Sequence, residues 1–426
     1  MSQQQLKNTL EKTFEFTLNS NQFRDIERLC FEILKRESIS ENNLIRYLKE
    51  NAQTQHHTGR NKFFVLKNSL ISRRFPLTSS HQKIDTKDVF LNKIRDPLGD
   101  NHTVKKIFKP TKIYAEKQIL TSPLLKNFTQ KFPSTKVEEI EHAGLYLKEN
   151  PFSVSDLKKP IVFIVKELGY FIKRCPCTKL HTGCGYWIFN LGFGCPYDCS
   201  YCFLQQYSNF PGITLPANIE DFFEKFDKVN LKLKKPIRIG TGEFCDSLAL
   251  DHITEYSKKL IPYFRDKNVL FELKTKSNQI DNLMKIKPSS NIVISWSLNP
   301  ESIIKTEETA TANLTQRLTA AKTLQKYGYK IGFHFDPIIH SRRWQVQYKK
   351  VVDMIYSYVE PGFAWISLGT LRSNRELKTI TERRFPKSDI FYSELLLGED
   401  RKLRYPKFLR AQIYENMVKW LRRHDK

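Results

Sequence analysis

The amino-acid sequence predicts an α/β protein in which a mainly helical N-terminal extension precedes a parallel sheet of six β/α units. From about residue 160 onward, short runs rich in β-branched and aromatic residues alternate with helical stretches. Serial alternation of this kind is typical of a parallel sheet with right-handed crossover connections. In residues 1–50, apolar residues instead recur every three to four positions, as they do on one face of a helix.

The composition indicates a folded protein with an anionic partner. The chain has 426 residues, which is enough for two or three domains, and its apolar and aromatic contents of 40% and 12% are those of a globular protein. Its 70 Lys and Arg outnumber 45 Asp and Glu, for a net charge of +25. A surplus of this size favours nucleic acid as the partner, or less often an anionic membrane, while a basic surface that only maintains solubility stays open.

The cysteines and the first residues predict a cytoplasmic location without membrane insertion. Seven of the eight cysteines fall within residues 175–245, which favours metal ligation in a reducing compartment over disulfide bonding. The first residues lack the charged and apolar stretches of a secretory signal. The most apolar run, 161–172, is interrupted by Lys166 and Glu167 and is too short to span a bilayer.

The N-terminal region begins with helical patterning and continues with a basic segment. One helix is predicted over about 23–34, with Cys30 on its apolar face and therefore in the core, and a second short helix over 44–48. Between Gln53 and Ile84 there are six Lys or Arg, no acidic residue and several phenylalanines. Two interpretations of this segment stay open, a nucleic-acid-binding arm and a solvated linker. A turn at 96–101 favours a domain boundary near 100–107.

Four segments are predicted along the chain: an N-terminal helical and basic extension over 1–106, an intervening region over 107–185, the β/α sheet over 186–375 and a basic C-terminal region over 376–426. The predicted strands of the sheet are Tyr186–Asn190, Ile237–Gly240, Val269–Thr275, Ile292–Leu298, Lys330–Phe335 and Ala364–Leu368. The predicted helices are Ile219–Phe226, His252–Phe264, Gln279–Ile286, Leu314–Tyr327 and Gln347–Tyr358.

The most specific motif follows the first predicted strand. Cys195, Cys199 and Cys202 have the spacing C-x3-C-x2-C, which places three thiolates on one loop. A cubane iron–sulfur cluster normally takes four cysteines, so three would leave one iron open to a ligand that is not protein. The alternative is part of a zinc site, but structural zinc prefers four ligands in two C-x2-C pairs, and the sequence has no second pair. The loop lies at the carboxyl end of a strand, where parallel-sheet proteins place their chemistry.

Later strand ends carry further candidate residues. Gly240 and Gly242 flank the end of the second strand and would let the backbone approach a ligand closely, with the Glu243 carboxylate beside them. Lys276 follows the third strand. Ser297 and Asn299 end the fourth and can form hydrogen bonds with a ligand. Ordinary strand-end polarity remains an alternative for all of these.

From about Phe108 to the C-terminus the sequence resembles the spore photoproduct lyase family of radical S-adenosylmethionine (SAM) enzymes. The resemblance rests on the cysteine loop with its aromatic Tyr201 and on the matching segments Phe108-Lys-Pro, Tyr114-Ala-Glu, Cys195–Gln205, Asp246–Thr254, Thr275-Lys276, Trp296–Asn299, Gly332 to Ile338 with His340 and Trp344, and Phe385–Ser388. It covers about three-quarters of the chain and leaves residues 1–106 unmatched.

The resemblance implies a partial (β/α)6 radical-SAM barrel, a [4Fe-4S] cluster on the three cysteines, SAM as cofactor and repair of a thymine dimer lesion in DNA. A flavodoxin or ferredoxin would donate the electron. In such enzymes a Gly/Glu segment holds the SAM amino group, which implies this role for Gly240, Gly242 and Glu243. Lys276 would pair with the SAM carboxylate.

By the same resemblance, Ser297 and Asn299 would bond the SAM ribose or carboxylate, and a cysteine and a tyrosine pair would return hydrogen to the product. Tyr201 matches one tyrosine, but the second position is Phe203. Counted back from Asp251, the cysteine position falls on Glu243, and Cys245 lies two residues on, on the same side of an extended segment. We expect Cys245 to take the donor's place. The departures keep two alternatives open, a radical SAM enzyme with another nucleic-acid substrate and a non-catalytic iron–sulfur or zinc protein that binds nucleic acid.

Two other groups of residues have a less definite interpretation. Cys175, Cys177 and Cys184, with His181 between them, would suit zinc or an auxiliary cluster, or are reduced structural thiols. At the end of the fifth strand, His334, with Asp336 and His340 nearby, would suit a metal or acid–base role, but without further carboxylates it is interpreted as a substrate contact or as strand-end polarity.

The C-terminal tail from 401 to 426 has nine Lys or Arg interleaved with aromatic residues. This pattern suits DNA binding, a terminal amphipathic helix, or both.

Overall fold

A computed structural model describes residues 2–52, 54–81, 84, 86–94, 108–158, 160–169, 171–175, 185–208, 210–230 and 237–424. Within these ranges the chain forms two compact units, which are described separately. The first comprises residues 1–99 and 371–412, and the second comprises residues 100–370 and 413–426. The predicted segment boundaries at 106 and 376 lie close to two of these limits, but residues 371–412 join the N-terminal residues in one unit.

The α-helices are α1 Gln3–Phe14, α2 Ser20–Glu37, α3 Glu41–Asn51, α4 Arg60–Arg74, α5 Pro76–His81, α6 Pro123–Lys131, α7 Ala143–Glu149, α8 Leu204–Tyr207, α9 Ile219–Asn230, α10 Asp251–Thr254, α11 Tyr256–Arg265, α12 Glu301–Glu307, α13 Leu314–Tyr327, α14 Trp344–Tyr358, α15 Arg375–Arg384 and α16 Lys407–Arg422. The strands are β1 Lys112–Glu116, β2 Val137–Ile140, β3 Ile161–Val165, β4 Ile172–Arg174, β5 Trp187–Phe189, β6 Asp198–Cys199, β7 Ile213–Pro216, β8 Ile237–Gly240, β9 Val269–Thr275, β10 Ile292–Ser297, β11 Glu308–Thr309, β12 Lys330–Ile338, β13 Trp365–Thr370, β14 Arg372–Asn374, β15 Leu396–Leu397 and β16 Lys402–Arg404.

In the first unit, helices α1–α5 pack around a core of buried leucine, isoleucine and phenylalanine side chains. Helix α2 begins with a capping box in which the Asn19 side chain and Gln22 satisfy each other's backbone N–H groups. Cys30 lies on the buried face of α2 and is only 1% exposed, which confirms its predicted place in the core.

The described residues of the basic segment 53–84 are mostly helical, so the interpretation as a solvated linker is wrong, while binding of nucleic acid by this segment stays a prediction. Its residues form α4 and α5, and Phe63 and Phe75 are buried in the helical core. Several of its cations have local partners: the ammonium of Lys67 pairs with Asp25 at 2.8 Å, and the guanidinium of Arg73 pairs with Glu37 at 2.7 Å. The segment lacks acidic residues because its carboxylate partners come from α2.

A buried ionic network joins three helices of this unit around Glu32. Its carboxylate accepts hydrogen bonds from Arg28 on α2 at 3.0 Å, from Arg74 on α4 at 2.8 Å and from the ammonium of Lys378 on α15. Burial by itself would raise the pKa of Glu32, but the three cations outweigh it and hold the pKa at about 2. The carboxylate is therefore ionised at neutral pH and balances cations that have no access to water.

In the second unit, the main sheet has seven strands in the order β13-β12-β10-β9-β8-β5-β4. The six strands from β5 to β13 pair in parallel, and β4 joins the edge antiparallel. These six are the strands that the sequence predicts, and the predicted partial barrel is confirmed. Every residue of β10 is buried, as expected for a strand that helices cover on one side and neighbouring strands flank.

The helix predicted over Gln279–Ile286 is wrong, because the structure has only a short 3-10 turn there, Leu283–Lys285. The hydroxyl of Tyr329 donates hydrogen bonds to the carbonyls of Leu283 and Ile286, at 3.1 and 3.0 Å. The side chain of Asn282 donates to Asp251 at 2.8 Å. These tertiary hydrogen bonds replace the local ones that a longer helix would need.

A smaller sheet, which the sequence did not predict, pairs β2, β1, β3 and β7 in parallel. Its strand β3 is the apolar run that the sequence identified as too short for a membrane, and four of its five residues are buried. Among the helices that the structure describes, none is long and apolar enough to span a bilayer.

The end of the chain forms the predicted terminal helix, α16. Ile413 and Met417 are fully buried, as their spacing predicts. Tyr405 and Trp420 are also buried, at 1% and 8% exposure, so they are not free to stack on bases.

Candidate active site

The cysteine loop begins where β5 ends. Gly194 has a φ of +95°, and a Cβ at this position would lie 2.8 Å from the carbonyl oxygen of Gly212, so the turn requires glycine. The Gly194 N–H donates to the carbonyl of Phe244 at 2.9 Å. The residues that precede Cys195 and Cys245 are therefore hydrogen-bonded to each other, and the loop lies beside the segment that follows β8.

The three motif cysteines lie close together on this loop. Cys199 is buried, and Cys195 and Cys202 are half-buried. Burial raises the pKa of the Cys195 and Cys199 thiols, and the negative charges of Asp246 near Cys195 and of Glu308 near Cys199 raise it further. Without iron these thiols are neutral at pH 7, so binding of iron releases their protons.

The three thiols fit an iron–sulfur cluster in number and chemistry. A cubane cluster takes cysteine thiolates as ligands, and three of them leave one iron open to a ligand that is not protein. Lys276 and Arg317 lie near Cys199 and supply positive charge beside these anionic ligands.

A two-stranded ladder fixes the middle of the loop. Strand β6 pairs antiparallel with β11, with Cys199 opposite Glu308. One residue on, the Ser200 N–H donates to the carbonyl of Glu307 at 2.9 Å, and the Ser200 hydroxyl donates to the Glu307 carboxylate. The amide of the Gln205 side chain stabilises the loop by donating hydrogen bonds to the carbonyls of Cys199, Ser200 and Cys202.

The buried carboxylate of Glu308 connects the loop to the barrel. It accepts hydrogen bonds from the hydroxyl of Tyr201, from the amide of Asn299 at 2.8 Å and from the guanidinium of Arg317 at 2.5 Å. The Lys276 ammonium lies 3.8 Å away. Burial would raise the pKa of Glu308, but Arg317 and Lys276 outweigh it and hold the pKa at about 2. Three of the predicted site residues, Tyr201, Lys276 and Asn299, thus meet at one anion.

Asn299 and Ser297 lie at the end of β10, as predicted. The Asn299 side chain uses both ends of its amide, since its oxygen accepts from the hydroxyl of Tyr348 at 2.7 Å. A ligand that accepts from the Asn299 amide NH2 would have to replace Glu308 or the hydroxyl of Tyr201, whereas the amide oxygen can accept one further hydrogen bond. The Ser297 carbonyl accepts from Arg317 at 2.7 Å, and its side chain is mostly buried.

Cys245 lies on a turn that Asp246 stabilises. The Asp246 carboxylate accepts from the backbone N–H groups of Leu248, Ala249 and Lys276 and from the hydroxyl of Thr275, at 2.6–3.0 Å. The half-buried Cys245 thiol donates to the carbonyl of Thr241 at 3.4 Å. Burial, together with the charge of Asp246, raises the pKa of this thiol to about 12.

Neighbouring strands explain the two glycines at the end of β8. A Cβ at Gly240 would lie 2.6 Å from the carbonyl oxygen of Glu272, and one at Gly242 would lie 2.8 Å from that of Lys274. Contact with β9 therefore accounts for glycine at both positions. That the backbone of Gly240 and Gly242 also approaches a ligand closely stays a prediction. The carboxylate of Glu243 faces the Lys274 ammonium at 3.4 Å.

His334 is held by a second buried carboxylate on the sheet. Glu272 accepts from the imidazole of His334 at 2.7 Å and from the hydroxyl of Ser295 at 2.6 Å, while the guanidinium of Arg238 lies 3.0 Å from its other oxygen. Burial lowers the pKa of His334 although Glu272 opposes this. Of the two interpretations of His334, strand polarity that is satisfied within the sheet fits these contacts.

The second cysteine group falls largely outside the described residues. This applies to Cys177, His181 and Cys184, so the possible second metal site stays a prediction. Cys175 is half-buried, and its N–H donates to the carbonyl of Tyr186 at 2.9 Å.

Sequence reasoning missed the three residues that organise the site, Asp246, Glu308 and Arg317. Asp246 carries a detectable signal, because it follows Cys245 directly at a strand end. Glu308 belongs to the polar stretch Glu307-Glu308-Thr-Ala-Thr, which has the composition of a solvated loop.

Comparisons with known proteins agree with this geometry. A family model described as spore photoproduct lyase matches residues 108–419. Spore photoproduct lyase of Bacillus subtilis is 24% identical over 300 residues, which cover 67% of this chain and 85% of the relative. The enzyme of that name from Clostridium acetobutylicum is 26% identical over 311 residues, which cover 70% and 88%.

Solved structures show the same fold. Spore photoproduct lyase complexed with dinucleoside spore photoproduct matches with a TM-score of 0.64 at 21% identity, over 75% of this chain and 97% of that one. A mutant of spore photoproduct lyase with bound AdoMet and the same dinucleoside matches equally well, with a TM-score of 0.64 at 21% identity over the same shares of the two chains.

Proposed function

Because the chain belongs to the spore photoproduct lyase family, we propose that it is a radical SAM lyase that repairs spore photoproduct, a thymine dimer lesion, in DNA. One observation carries the proposal beyond family membership. The loop with Cys195, Cys199 and Cys202 lies at the carboxyl end of a parallel strand and is hydrogen-bonded to the segment that bears Cys245. The cluster ligands and the proposed hydrogen donor therefore share one edge of the sheet.

In this proposal, Cys195, Cys199 and Cys202 hold a [4Fe-4S] cluster. When bound, the cluster and SAM supply the electron and the 5′-deoxyadenosyl radical that takes a hydrogen atom from the lesion. Lys276 binds the SAM carboxylate, and its position beside Cys199 supports this role.

The other proposed SAM contacts come from two strand ends. The amino group of SAM is proposed to lie beside Gly240, Gly242 and Glu243. Its ribose or carboxylate is proposed to bind Ser297 and Asn299. The Glu243 carboxylate, which faces the Lys274 ammonium at 3.4 Å, would accept a hydrogen bond from the SAM amino group.

We assign the return of hydrogen to Cys245. A hydrogen-atom donor must keep its S–H bond at neutral pH, and a thiol whose pKa is about 12 does so. The hydroxyl of Tyr201 also keeps its proton, since burial raises its pKa, and it already donates to Glu308.

Damaged DNA and a one-electron donor are the proposed partners. The net charge of +25 suits the phosphate backbone. The lesion must leave the base stack to reach a site at the sheet edge, as in other enzymes that modify bases. A flavodoxin or ferredoxin is the proposed electron donor.

The test is anaerobic reconstitution followed by incubation with a reductant, SAM and dinucleoside spore photoproduct. We expect 5′-deoxyadenosine from SAM and release of thymine residues from the lesion. Cys245→Ala should still cleave SAM but should lose clean formation of the repaired product. SAM cleavage without any repair would refute the assigned substrate, and unchanged products in Cys245→Ala would remove Cys245 from the donor role.

Phe203 favours a second candidate, a radical SAM enzyme that acts on another nucleic-acid lesion. This residue is 38% exposed and has no hydroxyl to pass hydrogen between Cys245 and the cofactor. The product radical of a different lesion would receive its hydrogen atom by a route that does not need a tyrosine at position 203. Activity on RNA or on another pyrimidine adduct, with none on spore photoproduct, would support this candidate.

A further inference from the structure

We infer that Glu308 is a positioning residue that fixes the cluster-binding loop against the barrel, and that loss of its charge releases the cluster. The inference rests on the proposed function only in taking Cys195, Cys199 and Cys202 as ligands of an iron–sulfur cluster. Glu308 acts on the loop through the backbone of Cys199 and the hydroxyl of Tyr201.

The first support is the place of Glu308 in the ladder. Its backbone pairs with Cys199, and the neighbouring Glu307 binds the backbone and hydroxyl of Ser200. The carboxylate of Glu308 accepts a hydrogen bond from the hydroxyl of Tyr201. Three consecutive residues of the loop, 199–201, are therefore held by two consecutive residues, the last of α12 and the first of β11, directly before the third ligand, Cys202.

The second support is that the other side of the Glu308 carboxylate is anchored to rigid elements. Arg317 donates to it from α13 at 2.5 Å and also donates to the carbonyls of Ser297 and Ala312, at 2.7 and 2.9 Å. Asn299 donates to it from the end of β10. The loop is thus connected through one anion to a helix and to a central strand.

The third support is that the Glu308 carboxylate is the buried counter-ion of the cations that hold it in place. The side chains of Glu308 and Arg317 have no solvent exposure, and Lys276 lies 3.8 Å from the carboxylate. Removal of one partner from a buried ion pair leaves the other charge uncompensated. In Glu308→Gln, the amide NH2 would face either Arg317 or the donors of Tyr201 and Asn299, so at least one donor is left without an acceptor.

A role in positioning the cluster-binding loop can be distinguished from a role in stabilising the whole fold. Outer residues that orient metal ligands typically affect metal affinity by ~10-fold or more when they are changed. A residue that only stabilises the fold should not change how fast iron leaves the folded protein. The rate of iron loss below the unfolding temperature is therefore the measurement that distinguishes the two roles.

The experiment compares three variants of the reconstituted full chain: Glu308→Gln, Tyr201→Phe and, as a matched control, Asp251→Asn. Asp251 is an equally buried carboxylate of the same unit, which accepts from Ser257 and Asn282 and has no contact with the loop. Each variant is challenged with an iron chelator at a temperature where thermal unfolding shows it to be folded. Iron release is followed by the visible absorbance of the cluster.

We expect release to accelerate ~10-fold in Glu308→Gln and by a smaller factor in Tyr201→Phe, which removes only one of the contacts. Asp251→Asn should release iron at the wild-type rate although it unfolds at a lower temperature. Wild-type release rates in Tyr201→Phe and Glu308→Gln would overturn the inference, and so would an equal acceleration in Asp251→Asn. If Glu308→Gln does not fold, Tyr201→Phe alone decides.

This outcome is independent of the substrate. If the wild-type chain takes up a cluster but does not act on spore photoproduct, the proposed function fails, while faster iron release in Glu308→Gln still supports the role of Glu308. If the wild-type chain takes up no cluster, both fail together.

Discussion

Replacement of Glu32 by glutamine should destabilise the first unit by about 3 kcal/mol. Glu32 is 1% exposed and balances Arg28, Arg74 and Lys378, so its neutral analogue leaves buried cations without a counter-ion. The size of the effect follows from the ion pairs in two ways. Breaking a buried pair costs roughly 3–5 kcal/mol. The fall of the Glu32 pKa from 4.5 to about 2 corresponds to about 3 kcal/mol. We take the lower figure because glutamine keeps part of the hydrogen bonding and Arg28 also pairs with Glu382.

The matched control is Asp25→Asn on the same helix. Asp25 pairs with Lys67, and their side chains are 33% and 18% exposed, so loss of this pair should cost less than about 1 kcal/mol. Urea unfolding, combined with hydrogen exchange of the α2 amides, measures both variants in the same unit. A loss in Glu32→Gln no larger than that in Asp25→Asn would refute the assignment of the buried network as a major stabilising element.

The pH dependence provides a second check of the same reasoning. A carboxyl group whose pKa is lower in the folded state stabilises the fold above its unfolded pKa, and the contribution is lost as the pH falls toward its folded pKa. For Glu32 this range runs from 4.5 down to about 2. The difference in unfolding free energy between wild type and Glu32→Gln should therefore be constant at neutral pH and should shrink below pH 4.5. A difference that grows on acidification would contradict the assignment.

Three further predictions concern the site and the proposed partner. Gly240→Ala should lower the free energy of unfolding by about 3 kcal/mol, because the new Cβ would lie 2.6 Å from the backbone carbonyl oxygen of Glu272 on β9. An unchanged urea midpoint would contradict this. Phe203→Tyr should leave the unfolding midpoint unchanged, since the side chain is 38% exposed, and should raise the fraction of clean repair product if the missing hydroxyl limits hydrogen return. Binding to lesion DNA should weaken steeply as salt rises, and a flat salt dependence would argue against a role of the +25 charge in tracking phosphates.

The barrel was predictable from sequence because its signal is local. Each of the six strands is a short apolar run between helical patterns, and the β8 and β9 bounds coincide with the prediction. Where the prediction failed, non-local contacts decided the structure. Tyr329 reaches back to the carbonyls of 283 and 286 and leaves no long helix there. Strand β2 contains two glutamates in four residues, so nothing local marks it as part of a sheet.

The difference between local signals and non-local contacts also explains which site residues could be predicted from the sequence. Cys195, Cys199 and Cys202 are close in sequence and were recognisable from their spacing alone. Glu308 lies 109 residues beyond Cys199 along the chain, and its role depends on a pairing that no local pattern encodes. The interpretation of 53–84 as a solvated linker failed for the same reason, since the acidic partners of its cations lie on α2.

The N-terminal residues, which lie outside the family match, bear on the stability of residues inside it. Lys378 belongs to the matched range 108–419, yet its ammonium is buried against Glu32 of α2. The backbone N–H groups of Leu77 and Thr78 likewise bind the carboxylate of Glu394 at 3.0 and 2.8 Å. A chain that lacks residues 1–99 would therefore expose apolar surface of 371–412 and leave Lys378 and Glu394 without these partners. Because each such loss costs about 1–3 kcal/mol, residues 1–99 act as a structural part of the unit that contains 371–412 and not as an independent appendage.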